Sequence, residues 1–362
     1  MSNEQELCSP VWVFTHIFDF LDLQFYEEIE YYLTKEKSRH TIKKVYAGAF
    51  FIMQRVRGQV EDPLGERLDG GGGITIAMLD TGVAMHPDLN GKILCFEDFV
   101  ESDSRTASGD RSCYDDNGHG THVAGILCGS GLASLGRYRG LAPGAKLVVG
   151  KVLDERGDGI TENMLEGLDW VLSLREMYRI RILNISVGIG DLEDKRKEYA
   201  MQKKLDEIWD RGIMVVCAAG NKGPGEGSVS AVGNSAKVVT VGCHDGNFRL
   251  GVPWRCQNYS GRGVAGAIPR KPDIVAPGTD IVSCSAGCYQ IRGRYLNAYA
   301  IKSGTSMATP IVSAAAALAM QRFPGMTNEE CKQKLLHTAT DLNEPLNQQG
   351  WGMVNVRRLL QQ

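Results

Sequence analysis

Asp80, His119 and Ser306 are the residues whose types and surroundings best suit nucleophilic chemistry in this 362-residue chain. Asp80 ends the apolar run that starts at Ile74 and is followed by Thr81-Gly82. That places a carboxylate at the tip of a buried strand, where open α/β sheets build their sites. An isolated Asp-Thr-Gly also fits a capping turn, or one half of an aspartic-protease pair, which needs a second facing carboxylate. No comparable copy exists here. His119 lies in Asp116-Asn-Gly-His119-Gly-Thr-His122-Val-Ala-Gly125. Its flanking glycines leave the imidazole uncrowded at a helix start, free to move a proton between a nucleophile and a carboxylate. Helical zinc pairs want histidines at i and i+4 with a glutamate between them, so His122 reads as structural. Ser306, in Ser303-Gly-Thr-Ser306-Met-Ala-Thr-Pro310, opens the alanine-rich stretch Ile311 to Met320. A helix N-terminus there would offer its dipole and free N–H groups to an attacking oxygen and to the oxyanion it generates. The plain alternative is an N-cap serine, and Pro310 in the first turns suits either.

These residues need rigid elements to bring them together. Five apolar runs read as buried strands: Ile74 to Leu79, Leu147 to Leu153, Ile182 to Val187, Ile213 to Ala218 and Val238 to Val241. Helical patterns alternate with them, which predicts an α/β fold with a mostly parallel sheet covered on both faces. Near Glu193 to Arg211, Met201, Leu205, Ile208 and Trp209 form one apolar helical stripe. Residues 1–66 follow another plan. Val11 to Ile17 suits a strand, Phe18 to Tyr32 a helix, and Thr41 to Tyr46 with Phe50 to Val56 a hairpin, making a small α+β unit. A polar, glycine-rich joint, Gly58 to Gly73, leads into a large domain placed at 67–362.

Composition removes several classes. Lys and Arg number 40 against 43 Asp and Glu, so the net charge is −3 and the basic surface of a nucleic-acid binder is missing. The amino terminus is acidic and Asp19 and Asp22 interrupt the apolar run after it, unlike a secretory signal. Ile311 to Met320, the longest uncharged apolar stretch, is too short for a bilayer. The expectation is a soluble, cytoplasmic protein without membrane contact. Ten cysteines in so long a chain read as reduced, mostly buried thiols. Neither Cys284-x3-Cys288 nor Cys243-His244 has a matching second ligand pair, so no metal cluster is assigned. A nucleotide-binding reading needs a glycine-rich phosphate loop after the first strand, and that strand runs into Asp80-Thr-Gly82 instead.

Asp, His and Ser in this chain order, each on the expected element, resemble the subtilases, the subtilisin-like serine proteases. Val215-Val-Cys-Ala-Ala-Gly-Asn221 is similar to the family's segment whose asparagine lines the oxyanion hole. Arg270 to Gly278 and Gly350-Trp-Gly-Met-Val-Asn355 also look like family segments, and the likeness runs from about Gly70 to Leu360. The resemblance implies a three-layer subtilisin-like fold and a serine endopeptidase. Ser306 would attack the carbonyl, His119 shuttle the proton, Asp80 hold His119, and Asn221 with the Ser306 N–H bind the oxyanion. Gly157-Asp158-Gly159 resembles the edge that pairs with an extended substrate, and Ser186-Val187-Gly188 the opposite edge and pocket wall. Lys222, Glu155 and Asp158 lie where charge could influence the subsites, or are simply solvated.

Two departures stand out. Ile311-Val-Ser-Ala314 replaces the family's usual His-Val-Ala/Ser-Gly, which puts local packing behind the nucleophile in question. His86-Pro-Asp88-Leu resembles a segment whose Asp often joins a calcium site, but Gly129 to Arg139 supplies no Asn or Asp to complete one. Calcium is therefore left open at Asp88, and no cofactor is required for catalysis. Ser303-Gly304, the Pro-Asp-Ile-Val-Ala-Pro-Gly segment and the absent leader look most like the bacterial intracellular branch. The expected partner is a protein or peptide substrate, with residues 1–66 either an inhibitory prosegment or a permanent subdomain over a sheet edge. The competing functional reading is a non-catalytic binding protein on the same fold; such proteins typically lose a triad member, and none is lost here.

Overall fold

The computed structural model describes residues 70–100, 112–187, 195–246 and 255–361; the unit read in 1–66, and Gly188, lie outside the described residues. Seven strands form one parallel sheet: β1 (Thr75–Asp80), β2 (Ile93–Asp98), β3 (Lys146–Lys151), β4 (Ile180–Ile185), β5 (Met214–Ala218), β6 (Val239–Cys243) and β7 (Ile274–Ala276). Their spatial order is β2-β3-β1-β4-β5-β6-β7. Central strands buried on both faces must be apolar throughout, which is why β1, β5 and β6 are entirely buried. The order reverses around β1, which has β3 on one side and β4 on the other. Such a switch point opens a crevice at the carboxyl ends of the strands.

Helices cover both faces. α1 (His119–Cys128) packs against α4 (Thr305–Arg322), and α4 crosses β4, β5, β6 and β7. The other layer holds α2 (Thr161–Tyr178), against β1, β3 and β4, and α3 (Lys195–Asp210), against β5 and α2. In α3, Met201, Leu205, Ile208 and Trp209 are buried, as the apolar stripe predicts. The alanine run of α4 is fully buried; alanine favours helix and lets the backbone approach the sheet closely. An antiparallel ribbon of β8 (Ile281–Cys284) and β11 (Tyr299–Lys302) flanks α1. Between its strands, β9 (Tyr289–Ile291) and β10 (Arg294–Leu296) form a hairpin. The two C-terminal family-like segments meet, since Val275 N–H bonds Gly352 O and Val354 N–H bonds Val275 O, each at 2.9 Å.

Candidate active site

Asp80 is the last residue of β1, fully buried, and its Oδ1 lies 2.7 Å from His119 Nδ1 and accepts Thr81 N–H at 2.8 Å. Oδ2 has no hydrogen-bond partner among the described residues. Bonding a carboxylate through Nδ1 fixes the tautomer and leaves Nε2 as the base. His119 is the first residue of α1, its side chain 21% exposed. Burial disfavours its charged form, but the charge of Asp80 and the hydrogen bond to it outweigh burial and raise the pKa above the ordinary 6.5; Asp115 adds to the rise and Lys302 opposes it.

Asp115, which sequence reasoning passed over, locks the two segments together. Its Oδ1 accepts Thr81 Oγ1–H at 2.9 Å and Gly118 N–H at 2.8 Å, and its Oδ2 accepts Thr121 N–H at 2.8 Å and the Thr121 hydroxyl at 2.6 Å. Burial opposes that charge, but these donors hold its pKa below the ordinary value. An acid just ahead of a helix start is a capping pattern, and that was the available clue. Gly120 is required by close approach, because a Cβ there would collide with Gly82 O. His122 is buried and its Nε2 donates to Ile281 O at 3.0 Å and Ala300 O at 3.1 Å, clamping α1 to β8 and β11. Desolvation drives its pKa down to about 3, so it is a neutral structural histidine.

Ser306 is the second residue of α4 and half-buried. Gly304, at φ 147°, turns the chain into the helix, and its N–H bonds Gly278 O beyond β7 at 2.9 Å. The first N–H groups of a helix have no partner one turn back, so that of Ser306 is available to a ligand. Pro310 has no N–H to give the Ser306 carbonyl, while Thr309 Oγ1–H returns to Thr305 O at 2.8 Å. Asn221, beyond β5, accepts both Thr305 N–H and the Thr305 hydroxyl on Oδ1 at 3.1 Å. Two donors on one oxygen fix the amide orientation and leave Nδ2 as a free-facing donor beside Gly304, whose ideal Cβ would lie 3.2 Å from it. Asp80 at the end of β1, and Asn221 and Gly278 just beyond β5 and β7, thus lie at the carboxyl side of one sheet.

Behind Ser306, Ile311 is fully buried and Ser313 Oγ–H bonds Asn184 Oδ1 at 2.8 Å, so the departure at 311–314 is accommodated by ordinary packing. Asn184 in turn donates to Ser186 Oγ at 2.8 Å. The Ser186 hydroxyl is therefore engaged inside the protein, and Val187 is 7% exposed. The expected edge at 157–159 is a turn organised by Asp154: Oδ1 accepts Arg156 and Asp158 N–H at 2.9 Å, and Gly157 N–H bonds Asp154 O at 3.1 Å. The Asp158 carbonyl accepts Asp154 N–H at 2.9 Å, which leaves exposed Gly159 as the member whose peptide groups take no part in the turn. A cleft of about 520 Å³ adjoins it, lined by Asp158, Gly159, Ile160, Glu162 and Glu166 among others. Glu155 is exposed and pairs with Arg156 at 3.7 Å, and Lys222 is exposed.

Asp88 does not offer calcium a site. Its Oδ1 accepts Ala133 N–H at 2.9 Å and its Oδ2 the Tyr299 hydroxyl at 2.8 Å, while its other neighbours are the His86 imidazole and the Cys284 thiol. One carboxylate already engaged, beside nitrogen and sulfur, does not supply the six to eight oxygens that calcium takes. The expectation of reduced thiols needs one correction: Cys243 and Cys256 are bonded, at a Cα separation of 5.6 Å. Folding brings together residues whose spacing carries no pairing information. Seven other described cysteines form no disulfide. No helix among the described residues is long and apolar enough to cross a membrane.

The profile of the subtilase family matches residues 71–352. Serine protease AprX of Bacillus subtilis (strain 168) is 40% identical over 297 residues, covering 79% of this chain and 65% of that protein. The chain thus spans about two thirds of that relative's length. Subtilisin Savinase of Lederbergia lenta is 34% identical over 285 residues, covering 79% of this chain and 90% of its own. Among solved structures, Sphericase superposes with a TM-score of 0.67 at 27% identity, over 83% of this chain and 97% of that one. A cold-adapted subtilisin-like serine proteinase gives 0.57 at 29% identity, over 79% and 88%.

Proposed function

Because this chain belongs to the subtilase family, we propose that it is a serine endopeptidase working through Asp80, His119 and Ser306, with Asn221 at the oxyanion. The observation that carries the reading is the 2.7 Å contact of His119 Nδ1 with buried Asp80, which leaves Nε2 to act as base. His119 Nε2 takes the Ser306 hydroxyl proton as Oγ attacks the substrate carbonyl. Charge moves onto the carbonyl oxygen, where Asn221 Nδ2 and the Ser306 N–H donate to it. The protonated imidazole, stabilised by Asp80, gives its proton to the leaving amine. Water then repeats the sequence on the acyl-enzyme.

An extended peptide pairs with the backbone at Gly159 and along 186–188, which fits broad sequence tolerance. A reducing, cytoplasmic setting accords with the seven described cysteines that form no disulfide, with the Cys243 pair as the exception. Residues 1–66 are either a prosegment that is cut away on activation or a permanent subdomain, and the mass of the mature protein separates the two. The test is digestion of a reduced and alkylated protein: wild type yields internal fragments and Ser306→Ala yields none. Equal digestion by both forms contradicts the assignment of Ser306, and none by either contradicts the activity.

A further inference from the structure

Lys151 ends β3 with only 1% exposure, a costly position for an ammonium unless its donors are all used. They are: Nζ donates to Thr81 O at 3.0 Å, Leu153 O at 2.7 Å and Asp116 Oδ1 at 2.8 Å. The Tyr114 ring lies 5.4 Å away. Each acceptor belongs to a different part of the site. Thr81 follows Asp80, Asp116 lies in the loop that delivers His119, and Leu153 leads into the turn that presents Gly159. Two further links join the same parts. Asp80 O accepts Val152 N–H at 2.9 Å and Leu153 N–H at 3.3 Å, and Asn117 Nδ2 donates to Glu155 O at 3.1 Å.

Resting on the endopeptidase reading above, we propose that Lys151 is a positioning residue coupling the substrate edge to the Asp80–His119 pair. Extended peptides that occupy the edge are then turned over faster than short ones. The ammonium is a rigid three-way joint. A peptide drawn against Gly159 restrains Leu153, and through Nζ restrains Thr81 and the Asp116 loop on either side of the catalytic hydrogen bond. Small displacements there matter, because misplacing a catalytic group by about 1 Å costs up to about 10²-fold in rate. Binding energy from remote subsites is expressed in kcat only if some such connection exists.

The experiment compares kcat for a blocked tetrapeptide anilide and a blocked single-residue anilide with the same scissile residue. Wild type is expected to favour the longer one in kcat, and Lys151→Met to lower that ratio about tenfold toward one. Fluorophosphonate labelling of the variant at Ser306 verifies a folded site. Asp116→Asn changes the joint at its solvent side, where Asp116 is 30% exposed, and serves if the methionine variant does not fold; it is expected to lower the ratio in the same direction. A wild-type ratio retained in both variants overturns the proposal, as does a wild-type kcat indifferent to length. Wild type that neither labels nor cleaves overturns the endopeptidase reading, and this proposal with it.

Discussion

His119 must be neutral to accept the Ser306 proton, yet Asp80 raises its pKa above 6.5 against the pull of burial. Activity therefore rises with pH through a limb placed above the ordinary histidine value. Stability from the charged pair runs the other way: it is complete below pH 6.5 and lost as pH climbs through the raised value. Asp80→Asn is expected to move the acid limb of kcat/KM to lower pH while lowering its plateau, as pH–rate profiles of both forms would show. Asn221→Ala is expected to lower kcat by about 10²–10³-fold with little change in KM, the size established for such a donor in a subtilisin. Steady-state kinetics on one peptide checks it. Asp80, His119, Asn221 and Ser306 could be singled out in the sequence because each sits in a chemically distinctive motif with a glycine beside it or close by. Asp115 and Lys151 were not, because their partners lie 34 and 70 residues away at Thr81, contacts that only the folded sheet creates.

At the scale of elements, α1 owes its seat to His122, which donates to both strands of the β8/β11 ribbon. Its folded pKa of about 3 against 6.5 unfolded means that, between those values, the unfolded chain binds one more proton. Unfolding free energy should therefore fall as pH drops below 6.5, by about 1.4 kcal/mol per pH unit for this group. His122→Gln, which keeps an N–H donor, is expected to flatten the slope by about one proton in urea titrations between pH 7 and 5. An unchanged slope would mean that His122 is already protonated when folded. The strands most readable from sequence, β1 and β3 to β6, are central ones that had to be apolar. β2 escaped notice because it is an edge strand with no fully buried residue and no regular alternation, and β7 because three residues make no pattern.

At the scale of the whole molecule, a parallel sheet brings Asp80, Asn221 and the approach to Ser306 to its carboxyl side, although these residues lie 141 and 85 positions apart in the chain. The three-layer arrangement was readable from alternating apolar runs and helical patterns; the Cys243–Cys256 bond was not, since spacing does not encode it. If residues 1–66 restrain the site until cut, wild type should shorten within Gly58 to Gly73 while Ser306→Ala stays at full mass. Intact mass spectrometry of both forms reads this directly, and a full-length, fully active wild type would remove the restraint. The most direct test of the central claim is the site of reaction with a fluorophosphonate. Peptide mapping should find one adduct, on Ser306, that Asp80→Asn slows and Ser306→Ala abolishes. An adduct on another residue, or a folded wild type that takes none, would contradict it.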